Sequence, residues 1–235
     1  MKADGAKSAV VVCPGGGYVC KAPHEADPIA QALAARHISA YVLDYRVKPC
    51  HYMAPLTDAR RAIRLARSLG YKQVGILGFS AGGHLACTAA THFDRGDPAA
   101  SDPLERLSCR PDFLAACYPV VSFTQYPHYG SCMSLLGNTD RHELERFFSA
   151  ELNVTPETPP AFIWHTADDA TVPVENSLLL SAALSRAGVP FALRIYPHGH
   201  HGLGLAGEHW DARQWMDDCA AFIHSLAAED TQKKS

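Results

Sequence analysis

QVGILGFSAGGHLA, residues 73–86, decides the fold of this chain. Its first half, QVGILGF, is a short apolar run of the kind that forms a buried strand. Its second half, after Ser80, is rich in alanine and reads as a helix. Ser80 therefore stands where a strand turns sharply into a helix, with Gly78 two residues before it and Gly82 two after. A G-x-S-x-G turn holds its serine in a strained backbone, so the flanking positions must be tiny. It lifts the hydroxyl above the C-terminal edge of the sheet, beside the free N–H groups and positive end of the following helix. Ser80 is the candidate nucleophile. An ordinary tight strand–turn–helix would show the same five residues, so the rest of the chain has to decide.

Outward from this junction, strand and helix patterns alternate. SAVVVCP (8–14), ISAYVLDY (38–45), FLAACYPV (113–120), AFIWHTA (161–167) and PFALRIYP (190–197) read as strands. EADPIAQALAARH (25–37), PLTDARRAIRLARSLG (55–70), VENSLLLSAALSRAG (174–188) and EHWDARQWMDDCAAFIHSLAA (208–228) read as helices, two of them stopped by Gly70 and Gly188. The strand runs are almost continuously apolar, which suits a sheet buried on both faces. The expected fold is α/β: a mostly parallel, doubly wound sheet with helices on both faces, in one domain spanning residues 1–235. Residues 95–111 and 122–158 are expected loops, the second with a short helix near DRHELERFF, and the tail EDTQKKS looks frayed.

Composition narrows the function. With 235 residues, 47% of them hydrophobic, the chain can bury one large core. A net charge of −3 and the lack of any polybasic run argue against nucleic acid. No stretch approaches the ~20 apolar residues of a membrane helix, and the N-terminus does not read as a secretion signal. The expectation is a cytoplasmic protein with no membrane partner. The eight cysteines are scattered with no C-x-x-C pair, so they read as free thiols rather than as a zinc site or a disulfide framework.

A serine hydroxyl needs a base, and the base needs an orienting acid. HTADDATVP (165–173) puts Asp168 and Asp169 at the C-terminal end of a strand, the same edge as Ser80. Asp169 is preferred as the acid, with Asp168 turned to solvent or to a loop N–H. YPHGHHGLGL (196–205) follows the last strand and carries His198, His200 and His201. His201, directly before Gly202, is the expected base, and His200 is the alternative if the loop is shifted. Three clustered histidines also suggest zinc, but the supporting carboxylate pattern is missing. Donors for a developing oxyanion are expected from the N–H of Ala81 and from Gly16 and Gly17, in the triple glycine after the first strand. That triple glycine lacks the lysine and serine of a phosphate loop. Tyr18 and Glu25, just beyond it, are candidate substrate-contacting residues; a glutamate at a helix start also favours the helix dipole. His84, one helical turn past Ser80, is expected to be structural and to bond a neighbouring loop.

These segments together resemble the α/β-hydrolases of the hormone-sensitive-lipase-like group, and within it the small bacterial acetyl, or acetylxylan, esterases. The likeness rests on VVCPGGGYVCKAPHEADPIAQAL, YVLDYRV, GILGFSAGGHLA, CYPVVSF, SLLGN, PPAFIWHTADDATVPVENSL and IYPHGHHGLGL, and so covers about residues 8–205. Pro14 stands where the larger group has a histidine, as it commonly does in the acetyl esterases. The resemblance implies a serine esterase needing no cofactor, which removes short acyl groups, acetyl above all, from sugar or oligosaccharide esters. An amide hydrolase of formamidase or peptidase type, and a non-catalytic binder, are the alternatives. The one or two antiparallel strands that usually precede the first parallel strand are missing, so a sheet of about six strands is expected. The edge this leaves open is a candidate surface for a homodimer.

Overall fold

The computed structural model describes residues 1–137, 141–207 and 211–232. Among them, six parallel strands form one sheet. In chain order these are β1 (Ser8–Cys13), β2 (Ser39–Val42), β3 (Gln73–Phe79), β4 (Leu114–Cys117), β5 (Ala161–Thr166) and β6 (Phe191–Tyr196). Their spatial order is β2-β1-β3-β4-β5-β6. The helices are α1 (Asp27–Ala34), α2 (Ala54–Ser68), α3 (Ser80–Thr91), α4 (Tyr129–Leu136), α5 (His142–Phe147), α6 (Glu175–Arg186) and α7 (Trp215–Gln232). The chain moves from β1 outward to β2 and then returns across β1 to β3. Right-handed crossovers must then place α1 on one face and α2 on the other.

The strand period of two sorts the core accordingly. Val11, Cys13, Val74, Ile76, Leu114, Ala116 and Ile163 face α2, α3 and α6. Val10, Val12, Leu77, Phe79, Ala115, Phe162 and Trp164 face α1 and α7. On the second face Trp164 and Trp215 stack at 5.1 Å between ring centroids. Ile29 and Leu33 of α1 and Cys219 and Ile223 of α7 complete that layer. Both central faces are dry, which is why the strands read as apolar runs rather than as alternation.

Several boundaries move inward from the pattern-based ones. β4 ends at Cys117 because Tyr118 has a positive φ of 35° and turns the chain. Val120 and Val121 are fully buried all the same, in a loop where the Val120 N–H donates to the Ser80 carbonyl at 3.1 Å. A single 3-10 turn, Pro23–Glu25, precedes α1. Helix α7 reaches Gln232, so the start of the tail is helical rather than frayed. The expected start of the closing helix at 208–210, Asp140 of the short helix, and residues 233–235 lie outside the described residues. At the β2 edge, expected to be open, the main chain of Met1 pairs with Ala40 in both directions, and the Ala3 N–H donates to Ser39 Oγ at 3.0 Å.

The β3–α3 junction shows why its glycines are there. A Cβ on Gly78 would fall 2.1 Å from the Gly82 carbonyl oxygen. One on Gly82 would fall 2.1 Å from the Cys13 oxygen and 2.4 Å from that of Pro14. These obstacles are backbone, which no rotamer change relieves. Gly83 makes a further close approach, since a Cβ there would lie 2.9 Å from Pro119 Cβ in the loop after β4. Gly82→Ala is expected to cost about 3 kcal/mol or more, seen as a melting temperature lower by roughly 10 °C. A melting temperature within about 2 °C of wild type would contradict this reading of the junction.

Candidate active site

Ser80 opens α3 with φ +52°, the left-handed region that a β-carbon disfavours. This backbone strain aims the side chain away from the helix axis and toward the loops after β1, β5 and β6. Its Oγ lies 2.7 Å from His201 Nε2. His201 Nδ1 lies 2.6 Å from Asp169 Oδ2. The other oxygen of Asp169 accepts the N–H groups of Thr171 and Val172 at 2.9 and 3.0 Å. The three side chains that the sequence reading selects thus form one continuous hydrogen-bonded chain. With Nδ1–H donated to the carboxylate, Nε2 keeps its lone pair toward the hydroxyl, which is the arrangement a general base needs.

Asp169 has a second, unforeseen support. His165, in β5 and fully buried, points Nε2 at Asp169 Oδ2 from 3.3 Å and at the Val172 carbonyl from 3.0 Å. Its Nδ1 takes the hydroxyl of Ser177 at 2.8 Å, which makes Nε2 the protonated nitrogen. Burial pushes the Asp169 carboxyl up, but hydrogen bonds from His165, His201 and the Val172 N–H outweigh it and hold it well below the usual carboxylate range. Asp169 is therefore an anion at neutral pH. The available signal for His165 was its place four residues before an acid at a strand end. His128, in the loop before α4, is a further neighbour of the site: burial and then the nearby His201 lower its pKa.

The remaining candidates divide. The Gly16 and Gly17 N–H groups donate to no acceptor among the described residues. Their φ values, +127° and +64°, are conformations that only glycine adopts without strain. The Ala81 N–H lies in the first turn of α3, where no intrahelical partner exists. Asp168 accepts from His198 Nδ1 at 2.9 Å and from the Gly199 N–H at 2.8 Å, and so braces the histidine loop. His200 Nδ1 bonds the His201 carbonyl at 2.8 Å. Among the described residues, no group of three or more His, Cys, Asp or Glu could hold a metal.

Tyr18 and Glu25 do not face a substrate. Tyr18, with φ +61°, turns its ring into the core, where its hydroxyl meets His84 Nδ1 at 2.7 Å. Glu25 is 2% exposed and accepts from the Gly15 N–H at 2.7 Å and from the Tyr118 hydroxyl at 2.6 Å. Both polar ends are fully engaged inside the protein, and their partners lie too far along the chain for local pattern to reveal.

His84 is a core residue that ties loops together. Its Nε2 donates to the Phe148 carbonyl at 2.7 Å, Tyr18 donates to its Nδ1, and its ring stacks on Phe123 at 4.2 Å. Burial lowers its pKa to about 4 from 6.5. The folded state holds His84 neutral while the unfolded chain protonates it below pH 6.5, so stability is lost as pH falls from 6.5 toward 4. The loss from this one group is about 3 kcal/mol. Urea midpoints measured between pH 7 and pH 4.5 should fall, and the slope should flatten in His84→Gln. An unchanged slope in that variant would refute the assignment.

A doubly wound parallel sheet, a strained serine at the switch between β1 and β3, and a histidine and aspartate from later loops define the class: this is an α/β-hydrolase fold. Residues 1–184 match the BD-FAE family model, and the chain belongs to that family. An acetyl ester-xyloside bifunctional hydrolase from Caldicellulosiruptor lactoaceticus superposes with a TM-score of 0.93 at 47% identity, over 97% of this chain and 86% of that one. Endo-1,4-beta-xylanase B of Butyrivibrio fibrisolvens is 37% identical over 87% of this chain and 34% of its own length. An acetylxylan esterase of Xylanibacter ruminicola is 31% identical over 94% of this chain and 46% of its own length. The chain thus spans between a third and a half of the length of these two curated relatives.

Proposed function

We propose that the protein is a serine esterase that removes acetyl groups from xylose-containing sugars. The observation that carries this reading is the unbroken chain Ser80 Oγ–His201 Nε2 and His201 Nδ1–Asp169 Oδ2, at 2.7 and 2.6 Å, above the N-terminus of α3. In the proposed mechanism Ser80 attacks the ester carbonyl while His201 takes its proton, and Asp169 stabilises the imidazolium. The N–H groups of Gly16, Gly17 and Ala81 receive the oxyanion. His201 then protonates the leaving alcohol, and water repeats the cycle to release acetate. No cofactor enters these steps.

The sugar ester is supported by the acetyl ester-xyloside hydrolase and acetylxylan esterase among the relatives. Among the described residues no helix is long and apolar enough to cross a membrane. The eight cysteines are free, which suits a reducing compartment and supports a cytoplasmic location. A single domain acting on a small ester, with no nucleic-acid or membrane partner, completes the proposal. The edge available to a homodimer is β6, where Phe191 and Ile195 are exposed.

The test is a substrate series: p-nitrophenyl acetate, butyrate and octanoate beside acetylated xylobiose and an N-formyl amide. Acetate should exceed octanoate in kcat/KM by about tenfold or more, and acetylated xylobiose should release acetate. Preference for octanoate, or turnover of the formyl amide alone, would overturn the substrate assignment.

A further inference from the structure

The reacting groups of this site come from opposite parts of the sheet. The oxyanion donors Gly16 and Gly17 follow β1 and the base follows β6, with β3, β4 and β5 between them. At about 4.8 Å per strand, the roots of the two loops stand some 19 Å apart. Sheet register therefore does not set their relative position, and something else must. The structure assigns this task to Glu25 and Tyr118, two buried residues that we propose as positioning residues linking the oxyanion loop to the histidine loop. The assignment rests on the esterase reading above and deepens it.

The link is a directed relay. The Gly204 N–H donates to the Tyr118 hydroxyl at 2.9 Å, and that hydroxyl donates to Glu25 Oε1 at 2.6 Å. The Gly15 N–H donates to Glu25 Oε2 at 2.7 Å. Burial, and then the Glu25 carboxylate beside it, push the Tyr118 phenol well above its usual range, so Tyr118 stays the donor. Gly204 is three residues beyond His201, and its carbonyl is held by Trp215 Nε1 at 3.1 Å. The Tyr118 ring also packs edge-on against the His201 ring, 5.1 Å between centroids. The same 3-10 turn supplies a second clasp, since His24 Nε2 lies 2.9 Å from the Gly202 carbonyl.

Two features separate this from ordinary core packing. A buried carboxylate is costly, and an apolar side chain would fill the space at lower cost. Glu25 nevertheless satisfies both oxygens, Oε2 directly from the oxyanion loop and Oε1 from Tyr118, whose hydroxyl in turn accepts from the histidine loop. The bond to Gly15 also turns that N–H away from Ser80 and leaves the N–H groups of Gly16 and Gly17 for the oxyanion. A Cβ on Gly15 would lie 2.6 Å from Glu25 Oε2 and 3.1 Å from Ser80 Cβ, so the carboxylate and the nucleophile confine the loop between them. Tyr118 takes its unusual φ of +35° directly after β4, which brings its hydroxyl into the gap between the two loops.

The experiment measures p-nitrophenyl acetate hydrolysis by wild type, Glu25→Gln, Tyr118→Phe, the double variant and Ser80→Ala, with phenylboronic acid as a probe that forms a tetrahedral adduct on Ser80. Each single variant should lose about ten- to a hundredfold in kcat with KM within about threefold, and should bind phenylboronic acid correspondingly more weakly. Because the two residues act through one relay, the double variant should lose no more than about threefold beyond the weaker single. Tyr118→Phe removes one oxygen atom and keeps the packing, so it carries the test if Glu25→Gln does not fold. Wild-type kcat in Tyr118→Phe, or losses that multiply in the double variant, would overturn the inference while Ser80-dependent turnover persisted. Wild-type turnover no better than that of Ser80→Ala would instead overturn the esterase reading on which it rests.

Discussion

Replacing Ser80 by alanine is expected to abolish turnover of p-nitrophenyl acetate, with kcat at least about ten-thousandfold below wild type. The substitution removes the only hydroxyl in the Ser80–His201–Asp169 chain. It leaves the backbone that shapes the elbow intact. Ser80 is already held at φ +52°, and alanine meets the same strain at that φ as serine does. Folding should survive, and the melting temperature should stay within about 3 °C of wild type. The residual rate should be that of the oxyanion donors and binding alone. A variant that keeps a tenth of wild-type kcat would place the nucleophile elsewhere. A burst of p-nitrophenol, one per active site, should accompany acyl-enzyme formation in wild type and vanish in the variant.

The Ser80 junction was legible because its constraint is local. A sharp turn needs small residues at fixed offsets, and Gly78 and Gly82 stand at those offsets within five residues of sequence. Asp169 and His201 were legible for a related reason: each follows an apolar run that ends at the same edge of a parallel sheet. What stayed hidden depends on partners far away along the chain. Glu25 reads as a substrate-contacting residue or a helix-start glutamate until its partners, ten and ninety-three residues distant, are known. Tyr18 reads as a loop aromatic until its positive φ turns it toward His84, sixty-six residues on. The apolar run through Val120 suggests a longer β4, because hydrophobicity reports burial and not extension. Val120 and Val121 are buried under a loop whose course Tyr118 sets.

Asp169→Asn is the sharper test of the base, because the structure dictates how the amide must sit. Asp169 Oδ1 accepts two backbone N–H groups, from Thr171 and Val172. The amide oxygen must take that place, since an NH2 there would face two donors. The NH2 then falls at the Oδ2 position, where it meets His201 Nδ1 and, at 3.3 Å, the protonated Nε2 of His165. To accept from the NH2, His201 must move its proton to Nε2, 2.7 Å from Ser80 Oγ. In that tautomer it can no longer take the serine proton. The expected loss in kcat at pH 7 is about a thousand- to ten-thousandfold, the magnitude associated with a wrong tautomer in other serine hydrolases. KM should change little. His165 sharpens the prediction: its N–H opposes the NH2, so Asp169→Asn should also lose stability, and replacing His165 by leucine in the same chain should restore part of that stability without restoring kcat. A kcat within tenfold of wild type in Asp169→Asn would mean that Asp169 does not set the tautomer of His201.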